Sequence, residues 1–316
     1  MRVLANDGIP VEMKEALEQL GFEVKEVRVA HEQLANYTEQ NKIDVLLIQQ
    51  GTLLSKSIID QLTHLTAIVM AGAQINLEIV DYCKEHGIKV IWAEEALSNA
   101  TAELVFAHLF SCCRLLQEAN RNMPLEGDAS FKMLQQSYSN GIELAGKTLG
   151  IIGMNSAGEK VAQKALALGM HVLYHDSLVP TLQAEFVLPN GVHFPVNLKS
   201  VEKHKVLHDS HFLTVHTQHF QKYVLDKQAF EQAHHLMGVI NCAYPEAINE
   251  VDLVEKVNDE TILFAGIDRF EEEPHPAIQV LMQPAFSLSP NINASTDESN
   301  VLIWEEIYDK IQILRK

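Results

Sequence analysis

The sequence predicts an α/β protein built as two doubly wound, parallel-sheet domains. Three observations carry that reading. Short apolar runs alternate with helix-period patterns through roughly the first hundred residues. The same alternation restarts at Thr148. The restart opens on a strand–turn–helix pattern with glycines at positions 153 and 158. Brief, unbroken apolar runs suit strands buried on both faces, as a sheet covered by helices requires.

Taken in order, Arg2–Ala5 reads as a strand and Asp7-Gly8 as the turn after it. Pro10 suits a helix start, Met13, Leu17 and Leu20 share one helical face, and Gly21 stops the helix. Val45–Ile48, Ala67–Met70 and Lys89–Trp92 are further strands, separated by helical segments near 55–63 and 77–86. A long helix follows over about 100–118. The second set of strands is Thr148–Ile152, 171–174, 211–215, Gly238–Asn241 and 262–267. Within it, residues 185–188 and 192–194 flank Asn190-Gly191, which predicts a hairpin closed by a type I′ turn. Residues 297–314 read as one amphipathic helix.

A chain of 316 residues, 47% hydrophobic, has material for about two cores. Its formal charge of −18 argues against nucleic acid and anionic membranes as partners, since both attract basic patches. The four cysteines (Cys83, Cys112, Cys113, Cys242) have neither metal nor disulfide spacing, and Cys112-Cys113 sits in an apolar helical pattern, so buried thiols are expected. Met1-Arg2-Val3-Leu4 runs directly into a strand, so no signal peptide is expected. The longest apolar stretch, 104–116, contains His108 and Arg114 and is too short and polar to span a bilayer. A cytoplasmic protein is the expectation.

Residues 147–158 read Lys-Thr-Leu-Gly-Ile-Ile-Gly-Met-Asn-Ser-Ala-Gly. This is a dinucleotide loop, G-x-G-x-x-G, with Asn155 at the middle glycine. In such a loop the amides at the helix start meet a pyrophosphate. Asn tolerates the left-handed region, so the turn is expected to form with Asn155 in it. Its side chain stands where bare backbone would approach the phosphates. Asp176 lies 18 residues past Gly158, just after a strand. An acidic group there takes the adenosine ribose hydroxyls and disfavours a 2′-phosphate, which points to NAD. The plainer reading is that Gly153 and Gly158 only close a tight strand–helix turn.

Longer stretches carry a resemblance. They are Ala102-Glu103-Leu104-Val105-Phe106-Ala107-His108, the run from Gly141 to Gly150, Gly266-Ile267-Asp268-Arg269-Phe270-Glu271-Glu272-Glu273-Pro274, and Ser289-Pro290-Asn291-Ile292. In these motifs, and in their order along essentially the whole chain, the protein resembles the D-isomer-specific 2-hydroxyacid dehydrogenases, the phosphoglycerate dehydrogenases most of all. The resemblance implies a flavodoxin-like substrate domain, 1–97 plus 292–316, and an inserted Rossmann NAD-binding domain, 98–291. It also implies a homodimer through the NAD-binding domain, and the all-round apolar helix with Leu104, Phe106, His108 and Leu109 suits a core or interface.

In that family a hydride passes between C2 of a 2-hydroxy acid and the nicotinamide. A histidine moves the hydroxyl proton, a glutamate favours the charged histidine, and an arginine clamps the carboxylate. Carried over, the catalytic positions are Tyr244 for the arginine, Glu273 for the glutamate and Asn291 for the histidine, so only Glu273 is retained. Pro245 replaces the glycine after the arginine. The substrate positions are Gln49, where relatives have an arginine, and the Gly-x-Gly loop at Gly72, Ala73 and Gln74. The cofactor positions are Thr101, Gly153, Asn155, Ser156, Ala157, Gly158, Asp176, His216, Thr217, Cys242, Ala243 and Asp268, with Ser156 and Ala157 replacing an arginine–isoleucine pair. Ala102-Glu103 is retained, and the counterpart of Asp268 helps hold the nicotinamide amide.

Histidines crowd one region: His204, His208, His211, His216, His219, His234 and His235. His204 and His208 have metal-compatible helical spacing, but no cysteine or acidic pair joins them, so no metal site is predicted. No serine lies in a nucleophile elbow. The sequence therefore predicts an NAD-dependent dehydrogenase of small 2-hydroxy or 2-oxo acids with weak or lost activity. The alternative is a catalytically idle paralogue serving as a binding or regulatory subunit.

Overall fold

The computed structural model describes residues 1–49, 51–72, 77–187, 190–217 and 223–315. The chain forms two compact units, Met1–Leu97 with Ala294–Lys316, and Ser98–Asn293. In chain order the first carries β1 (Arg2–Ala5), α1 (Val11–Gln19), β2 (Glu23–Glu26), α2 (Leu34–Gln40), β3 (Val45–Ile48), α3 (Lys56–Ile59), β4 (Ala67–Met70), α4 (Leu77–Glu85) and β5 (Lys89–Trp92). Helix α5 (Glu95–Cys113) carries the chain into the second unit. There follow α6 (Leu116–Ser137), β6 (Thr148–Ile152), α7 (Ser156–Ala167), β7 (His171–His175), β8 (Thr181–Val187), β9 (His193–Lys199) and α8 (Lys203–Asp209). Then come β10 (Phe212–Val215), α9 (Lys227–Glu231), β11 (Gly238–Asn241), α10 (Glu250–Asn258), β12 (Phe264–Ile267), α11 (Ile278–Leu281) and β13 (Phe286–Leu288). Helix α12 (Asp297–Ile311) returns to the first unit.

The first sheet is parallel with order β2-β1-β3-β4-β5, so its direction of growth reverses between β1 and β3. Alternation along the strands sorts the core. Val3, Ala5, Val45, Leu47 and Val69 face α1 and α12, meeting Met13, Leu17, Ile303, Ile307 and Ile311. Leu4, Leu46, Ile48 and Ile68 face the other side with Leu34, Ile58, Val80 and Cys83. Each fully buried side chain of this size contributes about 1.5–3 kcal/mol. Thr296 caps α12 by accepting from Ser299 N at 3.0 Å. Glu306 on that helix accepts from Glu94 N at 3.0 Å and Ala96 N at 2.8 Å, tying the start of α5 to the first unit.

The second sheet is parallel with order β13-β12-β11-β10-β6-β7, and the reversal falls between β6 and β10. Leu149 and Ile151 pack with Val105 and Leu109 of α5 and Val161 of α7. Leu213, Val215 and Val239 pack with Leu207, Phe230 and Leu253 on the opposite face.

Several expected elements differ in detail. The helix expected over 100–118 starts earlier, at Glu95, and ends at Cys113. Leu115 adopts φ +51°, and α6 begins after it. Apolar periodicity runs through that break unchanged, so the sequence does not mark it. Strand β7 reaches His175, β10 starts at Phe212 and β12 at Phe264. Strand β2 was not expected, since Glu-Val-Lys-Glu at a solvated sheet edge has little apolar signal, and β13 is only three residues long. The hairpin is present, but Val187 pairs with His193, so residues 188–192 connect the strands in place of a two-residue turn. Asn190 Oδ1 accepts from Val192 N at 3.2 Å there, and residues 188 and 189 lie outside the described residues. The last helix stops at Ile311 and finishes in a 3-10 turn, Gln312–Arg315. Among the described residues no helix is long and apolar enough to cross a membrane.

Candidate functional site

The loop between β6 and α7 sits where the second sheet reverses, the usual place for a ligand crevice in such sheets. Gly153 has φ +94°, and a Cβ there would fall inside the backbone of His216 and Thr217. A Cβ at Gly158 would come within 2.7 Å of Gly153 O. Both glycines are required by the turn itself. Asn155 departs from the expected left-handed conformation: with φ −73° and ψ −178° it is extended. It is the N-cap of α7, and its Oδ1 accepts from Gly158 N at 3.0 Å. Capping an orphan amide stabilises the extended form, so no left-handed residue is needed. Asn155 thereby occupies an amide that a helix start otherwise offers to an anion.

Asp176 follows β7. Its Oδ2 accepts from Met154 N at 2.7 Å, and its Oδ1 from Leu178 N at 2.7 Å and Val179 N at 3.2 Å. A carboxylate has about four acceptor sites, so capacity for a ribose hydroxyl remains. His216 is buried, with Nε2 2.9 Å from Thr214 Oγ1, and burial lowers its pKa to about 4. Its imidazole is therefore neutral, and its Cβ lies 3.4 Å from where a Cβ on Gly158 would stand. Thr101 and Cys242 are buried, while Ser156, Ala157, Thr217 and Ala243 are half-buried. The residues present fit a dinucleotide at the turn, the helix start and the acidic strand end.

A second cluster forms at the ends of β11 and β12. Asn241 Nδ2 donates to Tyr244 O at 3.1 Å and Arg269 O at 3.2 Å, joining the two loops. Asp268 is fully buried; its Oδ1 accepts from Ile292 N at 2.9 Å and Ser289 Oγ at 2.5 Å, and its Oδ2 from Asn293 N at 3.0 Å. These bonds hold the segment that carries Asn291, whose φ is +55°. Glu273 Oε1 accepts from Arg269 Nε at 2.9 Å and Phe270 N at 3.0 Å. Its Oε2 accepts from Arg269 Nη2 at 3.3 Å and Asn291 Nδ2 at 3.5 Å. Glu273 and Asn291 therefore meet, while Tyr244 is buried among apolar side chains.

Sequence reading missed Arg269: a spacing of four residues signals an ion pair on a helix, and 269–273 is an irregular segment in which Arg269 nonetheless pairs with Glu273. It also missed a reciprocal lock: Glu271 N donates to Glu250 Oε1 at 2.9 Å, Glu250 N to Glu271 Oε1 at 2.6 Å, and Tyr223 Oη to Glu271 Oε2 at 2.9 Å. Burial first, then the charges of Glu271, Glu272 and Glu273, pushes the Glu250 pKa from an ordinary 4.5 to about 7. A carboxyl raised in this way favours the fold while protonated. Its contribution is full below about pH 4.5 and is lost as pH rises to about 7. Glu250→Gln, which keeps the acceptor oxygen, is expected to flatten stability over that window by about 2–3 kcal/mol, checked by denaturant unfolding on both sides of it.

In the first unit, Gln49 and Gly72 line a cavity of about 430 Å³ at the carboxyl ends of β1, β3 and β4, with Asp7 and Arg28 beside them. The expected substrate positions Ala73 and Gln74 lie outside the described residues, as does His219. His204 and His208 both sit on α8, and no described group of three His, Cys, Asp or Glu is arranged to hold a metal.

Residues 106–292, more than half of the chain, match the family described as "D-isomer specific 2-hydroxyacid dehydrogenase, NAD binding domain". The D-3-phosphoglycerate dehydrogenase of Bacillus subtilis is 30% identical over 86% of this chain, which spans 50% of that relative's length. The hydroxypyruvate reductase of Thermotoga maritima is 29% identical over 85% of this chain and 84% of its own. A glyoxylate reductase structure from Paecilomyes thermophila superposes with a TM-score of 0.80 at 20% identity, covering 98% of this chain and 94% of that one, and so shares the fold. The chain belongs to the D-isomer specific 2-hydroxyacid dehydrogenase family, and its second unit carries that family's NAD binding domain.

Proposed function

We propose that this chain binds NAD in its second unit and acts on a small 2-hydroxy or 2-oxo acid with weak or lost hydride transfer. The observation that carries this reading is the contact between Glu273 and Asn291. The glutamate of the family's proton-transfer pair faces an amide, and both its oxygens are engaged by Arg269. An amide has no proton to give near neutral pH, and loss of a positioned general acid costs about 10²–10⁴ in rate. The buried phenol of Tyr244 offers no fixed cation for a carboxylate, a loss on the order of 2–5 kcal/mol. When bound, the cofactor supplies the site for the hydride. Gly153, Asn155, Gly158 and Asp176 are the residues to hold it, with Asp176 favouring NAD over its phosphorylated form.

A second reading, an idle relative serving as a binding or regulatory subunit, is favoured by the concentration of replacements at Gln49, Tyr244, Pro245 and Asn291. Under either reading we infer a homodimer through α5 and α6. Phe110, Leu116, Leu125 and Phe131 expose 43%, 60%, 80% and 57% of their surface on these two helices, apolar area that a second copy would cover. Four buried free thiols fit a reducing compartment, and we assign the protein to the cytoplasm.

Titration of the protein with NADH, followed by cofactor fluorescence, tests the central reading. Binding in the micromolar range is expected, because Asn155 caps the helix without disturbing the turn. Absence of binding at millimolar NADH overturns the cofactor assignment and leaves only the subunit role.

A further inference from the structure

The cavity of the first unit carries information about the ligand that the family relationship does not. Gln49 stands where relatives resembling this chain have an arginine, and its orientation is fixed by its neighbours. Its Nε2 lies 3.3 Å from Asp7 O and 3.1 Å from Gly8 O. Backbone carbonyls only accept, so the amide nitrogen must be the atom facing them. Gln49 thus offers its acceptor oxygen, Oε1, to a ligand.

The charges nearby point the same way. Asp7 is held by Gln49 N at 2.8 Å, by Thr52 Oγ1 at 2.8 Å and by the Arg28 guanidinium. Arg28 also donates to Gly51 O at 2.7 Å. The cation of this cavity is therefore matched by a carboxylate and a carbonyl. Asp297 adds a further carboxylate on the first turn of α12. One amide at the start of that helix is taken, since Ser299 N is bonded to Thr296 Oγ1 at 3.0 Å. Among the charged groups described in the cavity lining, Asp7, Arg28 and Asp297, negative charge is in surplus, and Gln49 adds an acceptor.

We propose that the first-unit cavity takes the arm of an unphosphorylated acid whose far end carries hydrogen-bond donors, a hydroxyl or an ammonium group, and that it rejects a phosphate. This deepens the proposed function and rests on reading the first unit as the acid-binding domain. A phosphate dianion would meet Gln49 Oε1 and the Asp297 carboxylate with no unmatched cation among the described lining residues, whereas a donor-tipped arm would pair with both.

Calorimetric titration of the full chain with D-glycerate, 3-phospho-D-glycerate and 4-amino-2-hydroxybutyrate tests this, with and without NADH. D-Glycerate or the amino acid is expected to bind about tenfold or more tighter than the phosphorylated acid. Asp297→Asn distinguishes the two donors, weakening the amino acid and sparing D-glycerate. Gln49→Arg is expected to reverse the order in favour of the phosphorylated acid. Should that variant fail to fold, Arg28→Gln serves instead, expected to weaken the phosphorylated acid no more than D-glycerate. A phosphorylated acid that binds the unmodified protein as tightly as the others overturns the proposal, as does absence of binding by all three. The order of the acids is read without turnover, so failure of NADH binding remains a separate result.

Discussion

Replacing Tyr244 with arginine, Pro245 with glycine and Asn291 with histidine together is expected to raise turnover of 2-oxo acids by about 10²–10⁴. The site supports the change locally. Asn291 Nδ2 is already 3.5 Å from Glu273 Oε2, so an imidazole at 291 comes within reach of a carboxylate that favours its protonated form. Arg269 competes for the same carboxylate from 2.9 Å, which is why the histidine alone is expected to recover less than the full set. The arginine at 244 restores a fixed cation, and the glycine removes the proline ring from the turn that must accommodate it. Loss of NADH absorbance over a panel of 2-oxo acids is the measurement. Turnover by the unmodified protein equal to that of the triple variant would show that the replaced groups are not what limits it.

Gly153→Ala is expected to destabilise the second unit by about 4 kcal/mol. The residue sits at φ +94°, where an added Cβ costs about 1–2 kcal/mol by itself. The Cβ would also fall within the backbone of His216 and Thr217, and overpacking of that kind adds about 1–3 kcal/mol. Neither segment can yield cheaply: His216 N donates to Ile152 O at 2.7 Å, and Val215 is in register with Ile152. Gly191→Ala is the control. It has φ +79° but nothing within 4 Å, so only the backbone cost applies. Denaturant unfolding of both variants should separate them clearly; equal losses would mean the close approach at Gly153 does not bear on stability.

What the sequence made legible follows from burial. Strands β3, β4, β10 and β11 are buried along their whole length, so their apolar runs are unbroken and readable. Strand β2 lies at an edge and is exposed at both ends, so it carries no such run. The break at Leu115 has no glycine or proline to announce it. Motif order located Glu273 and Asn291 and implied that they meet, but gave no sign of the buried bonds from Asp268 to the 289–293 segment that hold Asn291 there. Asn155 was legible as a departure, and its role was not, because capping depends on which side of the helix start the amide falls. Glu250 gave no signal at all: a carboxyl's burial is a property of what folds over it.

The return of α12 to the first unit has a consequence for the order in which the chain matures. Residues 98–293 are contiguous, so the second unit can complete itself as soon as they have left the ribosome. The first unit cannot. The sheet face bearing Val3, Ala5, Val45 and Leu47 waits for Ile303, Ile307 and Ile311, which are made only after the whole of the second unit. At about 5–20 residues per second, that leaves an apolar surface uncovered for about ten seconds or more in every nascent chain. The unit whose synthesis begins first is therefore the unit that finishes last, and it is the one for which a chaperone would have time to act.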